Sequence, residues 1–195
     1  PDGSRALILS DGMGKGARAA AESTLVVHML RKLLKQGQPV ARSIKEVNRY
    51  LLENGAGDKM GWEKETFATV DLTVIDRVTG RGKFYKMGAA PSYVVRGRRV
   101  RKVEQPALPV GIIPTLKLTH VTARLSAGDV IVMISDGIID SDRNDSQGDW
   151  ISSFLSDASA GKGPRQLAAH ILEEAHKRYG DREADDATVV VAVIR

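Results

Sequence analysis

Cysteine is absent from the chain, which excludes disulfides, thiolate metal sites and cysteine nucleophiles. Aromatic residues are scarce, at 5%, whereas proteins that grip single-stranded nucleic acid stack its bases on aromatic rings. No apolar run approaches the ~18 residues that a membrane-spanning helix takes. The longest runs, Val130–Ile134 and Thr188–Ile194, have the length of strands. The opening Pro1-Asp2-Gly3-Ser4 shows no basic-then-apolar leader pattern and no initiator methionine, so the chain is expected to be a piece of a longer protein.

What remains is a globular composition. Hydrophobic residues make up 42% of 195 and charged residues 27%, outside the disordered and fibrous classes. A chain of this length buries roughly 70% of its unfolded surface and suffices for a single domain. The net charge of +5 is a sum of opposites. Residues 1–128 hold 22 basic and 11 acidic side chains, whereas residues 129–195 hold 7 and 13. An acidic third of this kind suits the gathering of carboxylates around a cation.

Periodicity supplies the elements. Ala6–Leu9 is a short apolar run that reads as a buried strand. Val26, Met29, Leu30, Leu33 and Leu34 mark one face of a helix over about 17–36, stopped by Gly37 and Pro39. A second helix is predicted over 40–54, with Val40, Ile44, Val47 and Leu51 on one face. Ala68, Val70, Leu72 and Val74 then alternate with polar residues in a half-buried strand over 66–76. Strands follow at 82–87, 92–95, 99–103, 121–125 and 130–134, the second and third of these joined as a hairpin through Arg96-Gly97-Arg98. Helices over 147–158 and 164–179 and a last strand over 188–194 complete the chain. Helices and strands come in blocks, which predicts an α+β layered domain with mainly antiparallel sheet. Strict strand–helix alternation is absent.

One small motif occurs twice. Ser10-Asp11-Gly12 follows the first strand and Ser135-Asp136-Gly137 follows Val130–Ile134, while Asp185-Asp186 precedes the last. Carboxylates brought together without compensation repel and shift one another's pKa. A hard divalent cation, Mg²⁺ or Mn²⁺, removes that penalty with oxygen ligands. The alternative is that each Asp-Gly is only a turn. Gly12-Met13-Gly14-Lys15-Gly16-Ala17 also matches a dinucleotide fingerprint, but a helix rather than a strand follows the first helix, so no strand–helix–strand unit forms. Lys15 and Arg18, beside a helix N-terminus, are either phosphate-binding or solvated first-turn charges. His28, His120, His170 and His176 show no metal-pair spacing. The basic hairpin Arg96–Lys102 reads as a solvated sheet edge, with an acidic partner as its alternative.

Taken in order, Ser10-Asp11-Gly12-Met13-Gly14-Lys15-Gly16, Met87-Gly88-Ala89-Ala90-Pro91, Leu108-Pro109-Val110-Gly111-Ile112, Ser135-Asp136-Gly137-Ile138 and Asp185-Asp186-Ala187-Thr188 resemble the PPM (protein phosphatase 2C-like) metal-dependent phosphatases, in their sporulation-type branch. The resemblance implies a layered α/β/β/α fold, a sandwich of two antiparallel sheets flanked by helices, over a single domain spanning 1–195. It implies a protein serine/threonine phosphatase that uses two Mn²⁺ or Mg²⁺ ions and a water, without a phosphoenzyme. By position, Asp11 would bridge the metals with the Gly12 carbonyl on one of them. Asp136 and Asp185 would complete the other, with Asp186 behind.

In that branch the substrate is a phosphorylated anti-sigma-factor antagonist, and the helices at 17–36 and 40–54 take the place of a regulatory switch. The resemblance also implies a cytoplasmic domain of a membrane-anchored bacterial protein. Relatives carry an upstream Ser-Gly-Asp strand, so the chain is expected to be N-terminally truncated, with an edge open to pairing in a homodimer. A non-catalytic, partner-binding domain of the same fold is the alternative function.

Overall fold

In the computed structural model the structure describes residues 3–12, 14, 16–55, 66–142, 149–159, 161–182 and 185–195. Among the described residues eight strands and five helices run in the order β1 (Arg5–Leu9), α1 (Ala17–Lys35), α2 (Val40–Gly55), β2 (Val70–Ile75), β3 (Arg81–Met87), β4 (Ser92–Arg96), β5 (Arg99–Val103), β6 (Val121–Arg124), β7 (Val130–Ile134), α3 (Asp136–Ile139), α4 (Trp150–Ala158), α5 (Pro164–Tyr179) and β8 (Val189–Val193). They form two four-stranded sheets, ordered β1-β2-β3-β6 and β5-β4-β7-β8. The pairings β1–β2, β2–β3, β4–β5, β4–β7 and β7–β8 are all antiparallel. The fold is α+β, as the block order of elements predicts.

The chain divides into two compact units, one of residues 1–89 with 105–122, the other of 90–104 with 123–195. In the first, Val26 and Leu30 of α1 and Ile44, Val47 and Leu51 of α2 pack with Val70 and Leu72 of β2. These are the helical stripes the periodicity picks out. Gly37, at φ +79, closes α1, and its N–H and that of Gln38 donate to the Leu34 and Leu33 carbonyls in the manner of a left-handed helix cap. In the second unit, Val132 and Ile134 of β7 pack with Ile151 and Leu155 of α4 and with Leu167, Ile171 and Ala175 of α5.

Two expectations change. The runs Ala6–Leu9 and 188–194 read as buried strands, yet β1 and β8 are edge strands of their sheets. Only Leu9 of β1 is buried, and β8 is partly exposed throughout. An edge strand has a neighbour on one side only, so apolar content overstates its burial. Conversely β2 is not half-buried: Asp71 and Thr73, on its polar face, are sealed from solvent as fully as Val70 and Leu72. An ion pair with Lys86 of β3 makes the burial of Asp71 tolerable.

Candidate metal and phosphate site

The first Ser-Asp-Gly leaves the end of β1 and is stitched to the residue preceding β2. The Ser10 hydroxyl donates to the Thr69 carbonyl at 2.7 Å. The Asp11 N–H donates to Thr69 Oγ1 at 2.8 Å, and the Thr69 N–H returns a bond to the Asp11 carbonyl at 2.8 Å. Gly12 then bridges to Ala68, which bridges in turn to Val110. Asp11 is half-buried and Gly12 buried. A Cβ built on Gly12 would fall on the carbonyl oxygen of Ala19 in α1, so only glycine allows the loop to lie this close to the helix.

The second copy follows the same rules with different partners. Ser135 donates its N–H to the Thr188 carbonyl at 3.0 Å. Its hydroxyl accepts from the Thr188 N–H at 2.9 Å and donates to the Asp186 carbonyl at 3.3 Å. A Cβ on Gly137 would fall on that same Asp186 carbonyl. The serine ties the loop to neighbouring backbone, the aspartate is presented, and the glycine permits contact too close for any other residue. The segments 135–137 and 185–188 thus lie side by side at the ends of β7 and β8.

Asp136, Asp185 and Asp186 are all exposed. Asp136 accepts the Gly137 N–H at 2.9 Å and Asp185 accepts the Asp186 N–H at 2.9 Å, so each carboxylate is oriented by the next peptide unit. Among the described residues neither takes part in an ion pair. The Tyr179 hydroxyl, at the end of α5, donates to the Gly137 carbonyl at 2.7 Å. Burial pushes its phenol pKa up, and the Asp185 backbone N–H pulls the other way.

The structure brings Asp136 together with Asp185 and Asp186 in one unit and holds Asp11 and Gly12 in the other. Among the described residues no group of three or more His, Asp or Glu side chains is close enough to hold a metal ion. The donors nonetheless suit a hard cation: carboxylate and carbonyl oxygens, with no thiolate, and two exposed carboxylates without a cationic partner among the described residues. Arg18 pairs with Glu22 at 2.9 Å along α1. Lys15 lies outside the described residues.

Residue composition pointed to the aspartates and glycines. It did not reveal Thr69, nor the bonds of the two serines, nor Tyr179. The repeated serine was the available signal for its own role; Thr69 and Tyr179 carry none, because their partners lie 58 and 42 positions away.

Residues 1–195 match the family model described as stage II sporulation protein E (SpoIIE). The chain is 34% identical over 190 residues to stage II sporulation protein E of Bacillus subtilis (strain 168), covering 97% of this chain and 22% of that protein. It is 31% identical over 194 residues to the protein of the same name from Priestia megaterium, covering 99% of this chain and 32% of that one. The chain therefore spans about a fifth to a third of these relatives. A solved structure described as the PP2C phosphatase domain and a fragment of the regulatory domain of SpoIIE from Bacillus subtilis superposes with a TM-score of 0.83. It is 34% identical, over 98% of this chain and 55% of that one. Among the described residues no helix is long and apolar enough to cross a membrane.

Proposed function

The chain belongs to the stage II sporulation protein E (SpoIIE) family, and from that premise we propose that it is a metal-dependent protein serine/threonine phosphatase domain. The observation that carries the reading is the duplicated loop. Two Ser-Asp-Gly units in different surroundings use the same two devices, a serine hydroxyl tied to neighbouring backbone and a contact glycine, on either side of an aspartate. A plain turn needs neither of them.

Asp11 and the Gly12 carbonyl, with Asp136 and Asp185, are the residues that would hold two Mn²⁺ or Mg²⁺ ions. Asp186 would support them from behind. When bound, such ions supply positive charge to a phosphoryl oxygen and make a water acidic enough to serve as nucleophile near neutral pH. The chain's own contribution is placement. The serine ties fix the loop backbones, and the peptide units after Asp136 and Asp185 aim their carboxylates. Lys15 and Arg18, at the start of α1, are the candidates for contacting a substrate phosphate, and Arg18 would exchange Glu22 for it.

The substrate we infer is phosphoserine on a folded protein of the anti-sigma-factor-antagonist type. The 22 basic residues of 1–128 against 11 acidic ones suit an acidic phosphoprotein, and scarce aromatics disfavour nucleic acid. The test is phosphate release from a phosphoserine protein with Mn²⁺ present, after chelation, and after Mn²⁺ is restored. Loss on chelation and recovery on restoration are expected. Full turnover in excess chelator would refute metal dependence.

A further inference from the structure

We propose that Tyr179 is a positioning residue for the metal site, holding the Asp136 loop against the Asp185–Asp186 main chain through the Gly137 carbonyl. The inference rests on the reading of Asp136 and Asp185 as metal ligands.

Gly137 is fixed on three sides. Its N–H orients the Asp136 carboxylate at 2.9 Å. Its Cα abuts the Asp186 carbonyl so closely that no side chain fits. Its own carbonyl takes the Tyr179 hydroxyl at 2.7 Å. The Gly137 Cα joins the peptide that carries this N–H to the peptide that carries this carbonyl, so a shift of Gly137 would move the Asp136 carboxylate and press on the Asp186 backbone together. The phenol, bonded to the carbonyl, opposes that shift. The same Gly137 rests on the Asp186 carbonyl, so the hydroxyl that holds it acts where the two acidic loops meet.

Tyr179 is itself well held. It ends α5, whose Leu167, Ile171 and Ala175 are core residues. Arg182 donates from Nε to the Tyr179 carbonyl at 3.2 Å and lies over its ring at 5.3 Å. Asp136 and Asp185, by contrast, are exposed and have no ion pair among the described residues to fix them. Their separation depends on backbone, and Tyr179 is a side chain that holds the Gly137 backbone where it meets the Asp186 carbonyl. Outer groups that orient metal ligands commonly change metal affinity by about 10–100-fold.

A plain structural role, in which a phenol merely satisfies a buried carbonyl, makes a different prediction. Tyr93 supplies the control. It is buried in the same unit, and its hydroxyl donates to Asp149 Oδ1 at 2.9 Å, away from both acidic loops.

Mn²⁺ affinity is to be measured by calorimetric titration of the purified protein, of Tyr179→Phe and of Tyr93→Phe, alongside their melting temperatures. Both variants should melt lower, each having lost one buried hydroxyl bond. Only Tyr179→Phe should bind Mn²⁺ more weakly, by roughly tenfold. In an Asp136→Asn background Tyr179→Phe should have little further effect. Unchanged affinity in Tyr179→Phe, equal losses in both variants, or additive losses with Asp136→Asn would each overturn the positioning role while leaving the metal ligands standing. Absence of Mn²⁺ binding to the unaltered protein would overturn the ligand reading, and the inference with it.

Discussion

Lys86 of β3 and Asp71 of β2 stand opposite each other in strand register and join Nζ to Oδ2 at 2.6 Å, both sealed from solvent. Burial pushes the Lys86 pKa down, and Asp71 beside it pulls it back up. Losing one partner of such a pair strands a charge in a low-dielectric interior, at a cost of about 3–5 kcal/mol. Asp71→Ala is therefore expected to lower stability by about that much in urea unfolding. The double replacement Asp71→Leu with Lys86→Met should recover most of the loss. A double variant as unstable as Asp71→Ala would show that the pair is more than a paired burial of charge.

The contact glycines predict a matched pair of failures. Gly12→Ala drives a methyl into the Ala19 carbonyl, and Gly137→Ala into that of Asp186. Overpacking of this kind costs roughly 1–3 kcal/mol, and here the obstructing atoms are backbone. Both variants should melt lower and lose phosphatase activity beyond what their melting temperatures explain. Activity retained in Gly137→Ala would show that the loop can move aside without disturbing its aspartate.

Much of this was legible in advance, for reasons that differ by element. The stripes Val26/Leu30 and Ile44/Val47/Leu51 located α1 and α2 because each helix buries one face against a single sheet. Asp11 and Asp136 stand out in the sequence because a motif repeated at strand ends is improbable as two unrelated turns, and Asp185 because it immediately precedes the last strand segment. The burial of β1, β8 and Asp71 was not, since it depends on which strand is an edge and which is central, a property of pairing rather than of local pattern. α3 is four residues long, too short for any periodicity, and Asp136 proves to be its first residue rather than part of a turn.

Asp129 gives a dependence on pH. It is buried beside β7 and accepts from Arg96 Nε at 2.8 Å, from a second Arg96 nitrogen at 2.7 Å and from the Ser126 N–H at 2.8 Å. The Arg96 bond, first among these, holds its pKa below the usual carboxylate range. A depressed folded-state pKa means stability that is complete above the unfolded value of about 3.9 and is lost as pH falls through the folded one. Asp129→Asn should lower stability at neutral pH and flatten its decline in acid. Parallel acid limbs for variant and parent in pH-dependent thermal unfolding would contradict the assignment.

Asp185 and Asp186 are distinguished by what each offers. Asp186 contributes its main-chain carbonyl, on which Gly137 rests and to which Ser135 donates, and that contribution survives a side-chain change. Asp185→Asn should therefore weaken Mn²⁺ binding far more than Asp186→Asn, whose loss should stay near the lower end of the roughly 10–100-fold range for supporting groups. The reverse order would move the ligand assignment to Asp186.

The most direct test is Mn²⁺-dependent phosphate release from a phosphoserine protein, compared between the parent and Asp136→Asn. The carboxamide keeps the size of the side chain and its acceptor oxygen for the Gly137 N–H, removing the negative charge. Release reduced to background with an unchanged melting temperature is the predicted result. Undiminished release would contradict the assignment of the second Ser-Asp-Gly loop to the catalytic centre.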